Sequence, residues 1–117
     1  MPRLFFVAFF PSQAGHMSVS VRRDDSSREV TIAVQGTFDF SVHRAFREAY
    51  ESMPGTDAHY VVDLAETESM DSAALGMLLL LRDYAGGENA DIRVQNCNDS
   101  VREILRIASF ELLFTVS

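Results

Sequence analysis

The feature that most constrains the fold is a short, nearly continuous apolar run with β-branched residues, His59-Tyr-Val-Val-Asp-Leu-Ala65. Such a run is typical of a strand that is buried on both faces, as in a parallel sheet. Asp63 is the odd residue in it, and its carboxylate can hydrogen-bond the backbone of the following loop. Because parallel strands are joined by crossover connections, usually helices, the run predicts an α/β fold.

Helical periodicity flanks this run on both sides. Upstream, from Ser41, the apolar residues follow the spacing of one helix face: Val42, Ala45, Phe46, Ala49, Tyr50 and Met53. Pro54-Gly55 is expected to end that helix. Downstream, a second helix is predicted from about Ser72 to Ala85. It ends before Gly86-Gly87, whose tolerance of positive φ suits a C-terminal cap.

Two strands are predicted before the first helix. Val19 and Val21 alternate with polar neighbours in one of them, and residues 30–34 repeat the alternation in the other. The polar stretch Asp24-Asp-Ser-Ser27 lies between the two. This pattern indicates a strand pair joined by a polar turn.

A strand, a third helix and a closing strand are predicted after the second helix, with the strands at residues 91–95 and 112–116. Three side chains can cap the third helix: Asn98, Asp99 and Ser100. Ser100 and Glu103 match a capping box. The buried stripe is predicted to be Val101, Ile104, Leu105 and Ala108. The element order is therefore ββαβαβαβ, a single α/β domain with a mixed, mostly parallel β-sheet of about five strands and helices packed on it.

The first sixteen residues, MPRLFFVAFFPSQAGH, differ from the charged and patterned sequence that follows them. Their apolar stretch, residues 4–10, is short for a signal peptide and only Arg3 precedes it. Gly15-His16-Met17 resembles a cloning junction, and Met17 could itself be a start. We therefore predict that residues 1–16 are a disordered or non-native extension and that the domain spans 17–117.

Composition and charge exclude several classes of partner. No tract of 18 apolar residues occurs, so we expect no membrane-spanning helix and no membrane partner. The formal net charge of -7, without a basic run, makes nucleic acid an unsuitable partner. Cys97 is the single cysteine, which excludes an internal disulfide and a Cys-based zinc cluster and fits a reducing compartment. We expect a cytoplasmic protein.

The motifs of common enzymes are absent from the sequence. His16, His43 and His59 do not have the spacing of metal ligands. No glycine-rich phosphate loop and no G-x-S-x-G motif occurs. The sequence predicts no metal, no cofactor and no enzymatic activity. A nucleotide-binding or hydrolytic enzyme stays as an alternative that rests on fold analogy alone.

Ser72 stands where a loop after the buried strand opens the second helix. One interpretation is structural, because a serine at this place can accept hydrogen bonds from unsatisfied backbone N–H groups. The other is functional, because a phosphate on Ser72 would be tolerated by the helix dipole. It would add about -1.5 to -2 charges beside Asp71, enough to repel an acidic partner. The second interpretation makes Ser72 a switch at an interface.

The second helix carries more apolar residues than packing on a sheet requires. One complete stripe suffices for packing: Ala74, Met77, Leu78, Leu81 and Ala85. Leu75, Leu79 and Leu80 lie outside this stripe. Either the helix is buried between the sheet and another helix, or one apolar face stays exposed for a partner.

Three segments, in this order, resemble the STAS domain of bacterial anti-sigma factor antagonists. They are Gly36-Thr-Phe-Asp39, Val62-Asp-Leu64 and Met70-Asp-Ser-Ala-Ala-Leu-Gly76, the last being similar to the family's D-[ST]-[SA]-G-L-G signature. The resemblance runs from about residue 17 to 116, and residues 96–114 resemble the closing helix and strand. Two departures occur: Ala74 replaces the usual glycine, which could alter kinase docking, and Ser109-Phe110 stands where a Gly-Leu pair often follows the third helix.

The resemblance implies a function in partner switching. Ser72 would be phosphorylated by an anti-sigma factor serine kinase and reset by a PP2C-type phosphatase. The unphosphorylated form would capture the anti-sigma factor and free a sigma factor. The implied docking residues are Asp39, Met70, Asp71, Ser72, Ala73, Ala74 and Leu75. Asp39 can equally be a simple helix cap.

An alternative function within the same fold is a constitutive adaptor, such as the small STAS subunit of a lipid-transport ATPase complex. In that case the apolar helix would be a permanent interface and Ser72 would only cap a helix. The chain is expected to be a monomer or a weak dimer in either case.

Overall fold

A computed structural model describes residues 5–11, 17–24, 26–52 and 58–117 of the chain. Its strands are β1 (Phe5–Pro11), β2 (Met17–Asp24), β3 (Glu29–Val34), β4 (Gly36–Phe38), β5 (His59–Asp63), β6 (Thr67–Met70), β7 (Asp91–Gln95) and β8 (Thr115–Val116). Its α-helices are α1 (His43–Glu51), α2 (Ser72–Tyr84) and α3 (Asp99–Ile107). Short 3-10 turns lie at Phe40–Val42, Gly87–Asn89 and Phe110–Leu112.

The main sheet has six strands in the order β1-β2-β3-β5-β7-β8. The pairs β1–β2 and β2–β3 are antiparallel, whereas β3–β5, β5–β7 and β7–β8 are parallel. Val21 pairs with Ile32, Ile32 with Val62, and Val62 with Val94, so one row of buried apolar residues crosses four strands. This architecture confirms the predicted mixed, mostly parallel sheet of a single α/β domain.

Two strands that the sequence did not predict form a separate small sheet. β4 and β6 pair in parallel and contain three and four residues. Segments this short give too few alternations for a period of two to be recognised. The small sheet matters because it leads directly into α1 and α2.

Residues 5–11 form the edge strand β1, although the sequence placed them in a disordered or non-native extension. β1 runs antiparallel to β2, with Ala8 opposite Val21 and Phe10 opposite Val19. Ala8 and Phe10 are half-buried and pack against the core. The apolar residues of β1 are ordered because β2 offers a free edge and a buried row of valines. The rest of the extension, residues 1–4 and 12–16, lies outside the described residues.

The predicted faces of α1 and α2 are the buried ones. In α1 and the turn before it, the core contains Val42, Ala45, Phe46, Ala49 and Tyr50. In α2 it contains Ala74, Met77, Leu78 and Leu81, followed by Ala85. The glycines after α2 have φ values of +123° at Gly86 and +63° at Gly87, as the predicted cap requires. Met53 and Pro54-Gly55 lie outside the described residues.

The third helix begins after Asn98, one of the three predicted caps. Asn98 is its N-cap, because the side-chain oxygen accepts a hydrogen bond from the amide of Val101 at 2.8 Å. The predicted capping box is wrong: Glu103 pairs instead with Arg106, one turn later, at 2.6 Å. Ala108 is exposed, so the stripe ends a turn earlier than predicted.

The closing strand is shorter than predicted. A 3-10 turn at Phe110–Leu112 replaces its beginning, and only Thr115–Val116 pairs with β7. Phe110 and Phe114 are buried, and their rings stack with centroids 5.5 Å apart. The burial of these two rings favours the turn over an extended chain.

Candidate functional site

The small sheet sets the ends of two strands side by side. Gly36 pairs with Thr67 and Phe38 with Met70. The amide of Asp71 donates a hydrogen bond to the carbonyl of Phe38 at 3.2 Å. β4 leads directly into the 3-10 turn before α1, and β6 leads directly into α2. The two helical segments therefore begin next to each other at one end of the domain.

Thr67 and Asn98 anchor the small sheet to the rest of the domain. Thr67 is a polar residue of the described chain that lies in the core, with 3% of its surface exposed. Its hydroxyl donates to the carbonyl of Val34 at 2.7 Å. The side-chain amide of Asn98 donates to the carbonyls of Thr67 and Glu68 at 3.2 and 3.0 Å. No sequence pattern predicted these contacts, because each joins residues about thirty positions apart.

Two aspartates cap the neighbouring helical segments. A carboxylate oxygen of Asp71 accepts from the amide of Ala74 at 3.2 Å. A carboxylate oxygen of Asp39 accepts from the amide of Ser41 at 2.9 Å and from the Ser41 hydroxyl at 2.6 Å. These contacts agree with the alternative interpretation, in which Asp39 is a helix cap. The pair of carboxylates also makes this end of the domain acidic.

Ser72 is the first residue of α2, and its side chain is exposed. Its hydroxyl makes no hydrogen bond to another described residue. Of the two structural roles predicted for Ser72, N-cap or first-turn residue, the structure shows the second, because Asp71 accepts the capping hydrogen bond. The Ser72 hydroxyl is therefore free to react without loss of a structural contact, and the N-terminus of α2 lies beside it.

The residues predicted for docking differ in how deeply their side chains are buried. The side chains of Asp71 and Ser72 are exposed, whereas Ala73 and Leu75 are half-buried, as is Asp39. The remaining two have core side chains: Met70 is 6% exposed and Ala74 is 0% exposed. We expect these two to shape the surface from below rather than to contact a partner.

The burial of Ala74 also bears on the departure from the family signature. Its methyl group packs in the core and not at the surface beside Ser72. An added β-carbon at this position therefore changes the packing under α2, and it leaves the surface around the Ser72 hydroxyl unchanged.

One face of α2 is exposed and apolar, as one of the two sequence interpretations proposed. Leu79 is 40% exposed and Leu80 is 49% exposed. In the 3-10 turn before α1, Phe40 is 60% exposed, and its ring stacks on that of His43 with the centroids 5.2 Å apart. Phe40 was not among the predicted site residues, because a single phenylalanine outside a helical stripe gives no local signal of exposure.

The two helices that carry this face lie side by side and run in the same direction. Their starts are joined by the Asp71–Phe38 hydrogen bond. Near their ends the rings of Tyr50 and Tyr84 approach to 5.1 Å. A shallow groove between the helices is lined by His43, Phe46, Arg47, Tyr50, Met77 and Leu80.

The surroundings of Cys97 and Asp63, the other residues that stand out in the sequence, indicate structural roles. Cys97 is half-buried, and burial raises the pKa of its thiol, which lowers the thiolate fraction and the reactivity at neutral pH. Asp63 accepts from the amide of Ala65 and from the side-chain amide of Asn96, each at 3.0 Å, so it binds the loop as expected. Among the described residues, no three His, Cys, Asp or Glu side chains cluster as metal ligands would.

Within the described ranges, no helix has the length and apolar character needed to cross a membrane.

Comparison with known families agrees with the geometry. A family profile described as "Mlab, STAS domain" matches residues 21–115. The chain belongs to the STAS domain family. A STAS-domain containing protein of Pseudomonas aeruginosa is 52% identical to this STAS domain protein over 101 residues, which cover 86% of this chain and 100% of the relative.

Solved structures share the fold of this STAS domain. An anti-sigma factor antagonist from Mycobacterium paratuberculosis superposes with a TM-score of 0.65 at 17% identity, covering 85% of each chain. The anti-sigma factor antagonist SpoIIAA in its unphosphorylated form gives 0.63 at 14% identity, covering 78% of this chain and 81% of the other. Bacillus SpoIIAA in its phosphorylated form gives 0.53 at 14% identity, covering 78% and 84%. These likenesses confirm the predicted STAS fold.

Proposed function

We propose that this STAS domain is an anti-sigma factor antagonist whose partner binding is switched by phosphorylation of Ser72. The observation that carries the proposal is the exposed Ser72 hydroxyl, which is released from capping because Asp71 accepts that hydrogen bond. The position is thus accessible to a kinase and chemically free. A protein of the same fold, SpoIIAA, is known in unphosphorylated and phosphorylated forms, which supports the proposal.

The proposed switch is electrostatic. An anti-sigma factor serine kinase transfers the γ-phosphoryl group of ATP to the Ser72 oxygen, and the hydroxyl proton leaves as ADP is released. The added charge of about -1.5 to -2 lies beside Asp71 and near Asp39. The free N–H groups at the start of α2 stabilise the phosphate, so the fold persists while the surface changes. Hydrolysis by a PP2C-type phosphatase restores the hydroxyl.

The proposed docking surface joins the switch to the exposed apolar face. Asp71, Ser72 and Ala73 lie at the start of α2, and Leu79 and Leu80 lie along it. Burial of apolar side chains would provide most of the binding free energy, because the effect scales with the area removed from water. A phosphate at the edge of that contact would have to lose its hydration without a matching cation, which opposes binding.

The proposal describes a regulator rather than a catalyst. It requires no metal or cofactor and no nucleic-acid contact, in keeping with a net charge of -7. The protein would act in the cytoplasm, where the kinase, ATP and the sigma factor are available. Release of the sigma factor would follow from capture of the anti-sigma factor by the unphosphorylated form.

The test compares three full-length baits in a pull-down from native lysate, analysed by mass spectrometry. Ser72→Ala keeps the uncharged state and Ser72→Asp imitates the charged one. Ser100→Asp is the matched control, because Ser100 is an exposed residue in the first turn of α3. We expect the Ser72→Ala and Ser100→Asp baits to capture a kinase-like protein and the Ser72→Asp bait to lose it.

The captured kinase should then phosphorylate the wild-type chain on Ser72, with no phosphate transfer to Ser72→Ala. Equal capture of the kinase by the Ser72→Ala and Ser72→Asp baits would contradict the charge switch. Phosphate transfer to another residue would contradict the assignment of the site.

A second candidate function is the constitutive adaptor subunit of a lipid-transport ATPase complex. The description of the matching family profile, "Mlab, STAS domain", and the exposed Leu79 and Leu80 favour it. The apolar face would then be a permanent contact, and substitutions of Ser72 would leave it intact. Copurification of a transporter ATPase in equal amounts with all three baits would support this candidate over the switch.

A further inference from the structure

The strand β1 forms one edge of the main sheet, and no described residue pairs with its outer side. β1 contains seven residues, whereas the strand at the opposite edge, β8, contains two. A long edge presents a row of unpaired N–H and C=O groups that can bind another strand. The two edges of this sheet are therefore unequal, and β1 is the one with room for a partner strand.

β1 has the usual protection of an edge strand only at its end, where the register shifts between Phe10 and Pro11. Natural edges carry lysines, inward-pointing charges or bulges that prevent pairing between molecules. The sequence of β1, Phe-Phe-Val-Ala-Phe-Phe-Pro, contains no charged residue. Val7 is 53% exposed and Phe9 is 58% exposed, both on the face of the sheet opposite to Ala8 and Phe10. Another strand would cover both apolar side chains and backbone groups here.

We infer that β1 pairs with β1 of a second copy of this chain, antiparallel across a twofold axis, so that the sheet continues through both molecules. An antiparallel pair of identical strands is self-complementary, and the symmetry closes the assembly as a dimer. Pairing centred on Ala8 sets Val7 of one copy opposite Phe9 of the other, twice. A head-to-tail contact of β1 with β8 is disfavoured because β8 offers only two residues.

Charge supports the choice of this strand as the contact. Each copy carries a formal net charge of -7, so two copies repel each other at most surfaces. β1 carries no charged side chain. Its exposed apolar side chains would meet the same apolar side chains on β1 of the second copy. Association should therefore be weak, with a dissociation constant between about 1 µM and 1 mM, and should strengthen as salt screens the repulsion.

The test measures self-association of the full chain by sedimentation equilibrium over a range of concentrations. The double variant Val7→Lys with Phe9→Lys places lysines at the edge. Ser20→Lys is the control, because Ser20 lies opposite Phe9 on β2, and the variant adds one lysine to the same face without changing the edge strand. We expect the dimer to weaken by at least about tenfold in the double variant and by less than about twofold in the control.

General charge effects cannot mimic this result. Added lysines reduce the net negative charge, so they lower the overall repulsion and would by themselves favour association. A dimer that persists unchanged in the double variant would overturn the proposal. A wild-type chain that stays monomeric up to about 1 mM would also overturn it.

Hydrogen exchange of the wild-type chain provides a second measurement that does not depend on a variant folding. Amides of residues 7–10 on the outer side of β1 should gain protection as the protein concentration rises, whereas those of β8 should not. Protection of the β1 amides that does not change with concentration, although a dimer is present, would overturn the assignment of this edge. The inference is independent of the function proposed for Ser72.

Discussion

The amide of Asp71 donates a hydrogen bond to the carbonyl of Phe38, and the residue after Phe38 is Asp39, the other capping aspartate. This contact extends the pairing of β4 with β6 by one step, so two capping carboxylates stand at neighbouring helical starts. The exposed Ser72 follows one of them directly. The location of the proposed switch is therefore a consequence of two short strands pairing in parallel.

Removal of the Asp71 cap should cost stability, whereas removal of the Ser72 hydroxyl should not. Asp71→Ala removes the carboxylate acceptor of the Ala74 amide and leaves it only the carbonyl of residue 71 at 3.2 Å, so we expect the free energy of unfolding to fall by about 1 kcal/mol. Ser72→Ala should change it by less than about 0.5 kcal/mol. Urea unfolding followed by circular dichroism measures both. A larger loss in Ser72→Ala than in Asp71→Ala would show that Ser72 is the structural residue.

The buried hydroxyl of Thr67 should stabilise the small sheet. In Thr67→Val the carbonyl of Val34 loses its donor inside the protein, which should lower the free energy of unfolding by about 1–3 kcal/mol. Thr37→Val is the control, since Thr37 is exposed on the neighbouring strand. Chemical denaturation of both variants gives the difference. Equal values for the two would mean that the Thr67 hydrogen bond adds nothing to stability.

Substitutions of neighbouring leucines in α2 should affect either the stability of the domain or its binding to a partner, depending on which leucine is changed. Leu78 is 0% exposed, so Leu78→Ala should destabilise the protein by about 2–5 kcal/mol. Leu79→Ser with Leu80→Ser removes exposed apolar area and should leave stability within about 1 kcal/mol. The second variant should nevertheless capture less of the kinase in the pull-down. Undiminished capture by a folded Leu79/Leu80 variant would exclude this face from the interface.

Stability should fall in alkaline solution because of a buried tyrosine. Burial raises the pKa of Tyr60 well above its ordinary value of about 10. The unfolded chain ionises near pH 10 while the native chain stays protonated, so the free energy of unfolding decreases as the pH rises above that value. Tyr60→Phe should show a shallower decrease between pH 9 and 11, measured by urea unfolding. An identical slope in wild type and variant would contradict this assignment.

Part of the candidate site could be predicted from the sequence. The start of α2 at Ser72 and the position of Leu79 and Leu80 outside its buried stripe follow from local periodicity, whereas their exposure does not. The choice between Asp71 and Ser72 as the cap did not follow, because both residue types can cap and only the backbone geometry selects one. The exposed Phe40 was likewise outside the predicted site.

The sequence by itself determined the order of the main elements and the apolar faces of α1 and α2, since repeats of 2 and 3.6 residues are local properties. Only the tertiary structure decided the pairing of β4 with β6, the burial of Thr67 and the recruitment of residues 5–11 as an edge strand. Each of these depends on hydrogen bonds between distant residues, such as Thr67 and Val34, which lie 33 positions apart. Segments of three or four residues contain too little pattern to specify such a pairing, so the partner strand has to be present for it to form.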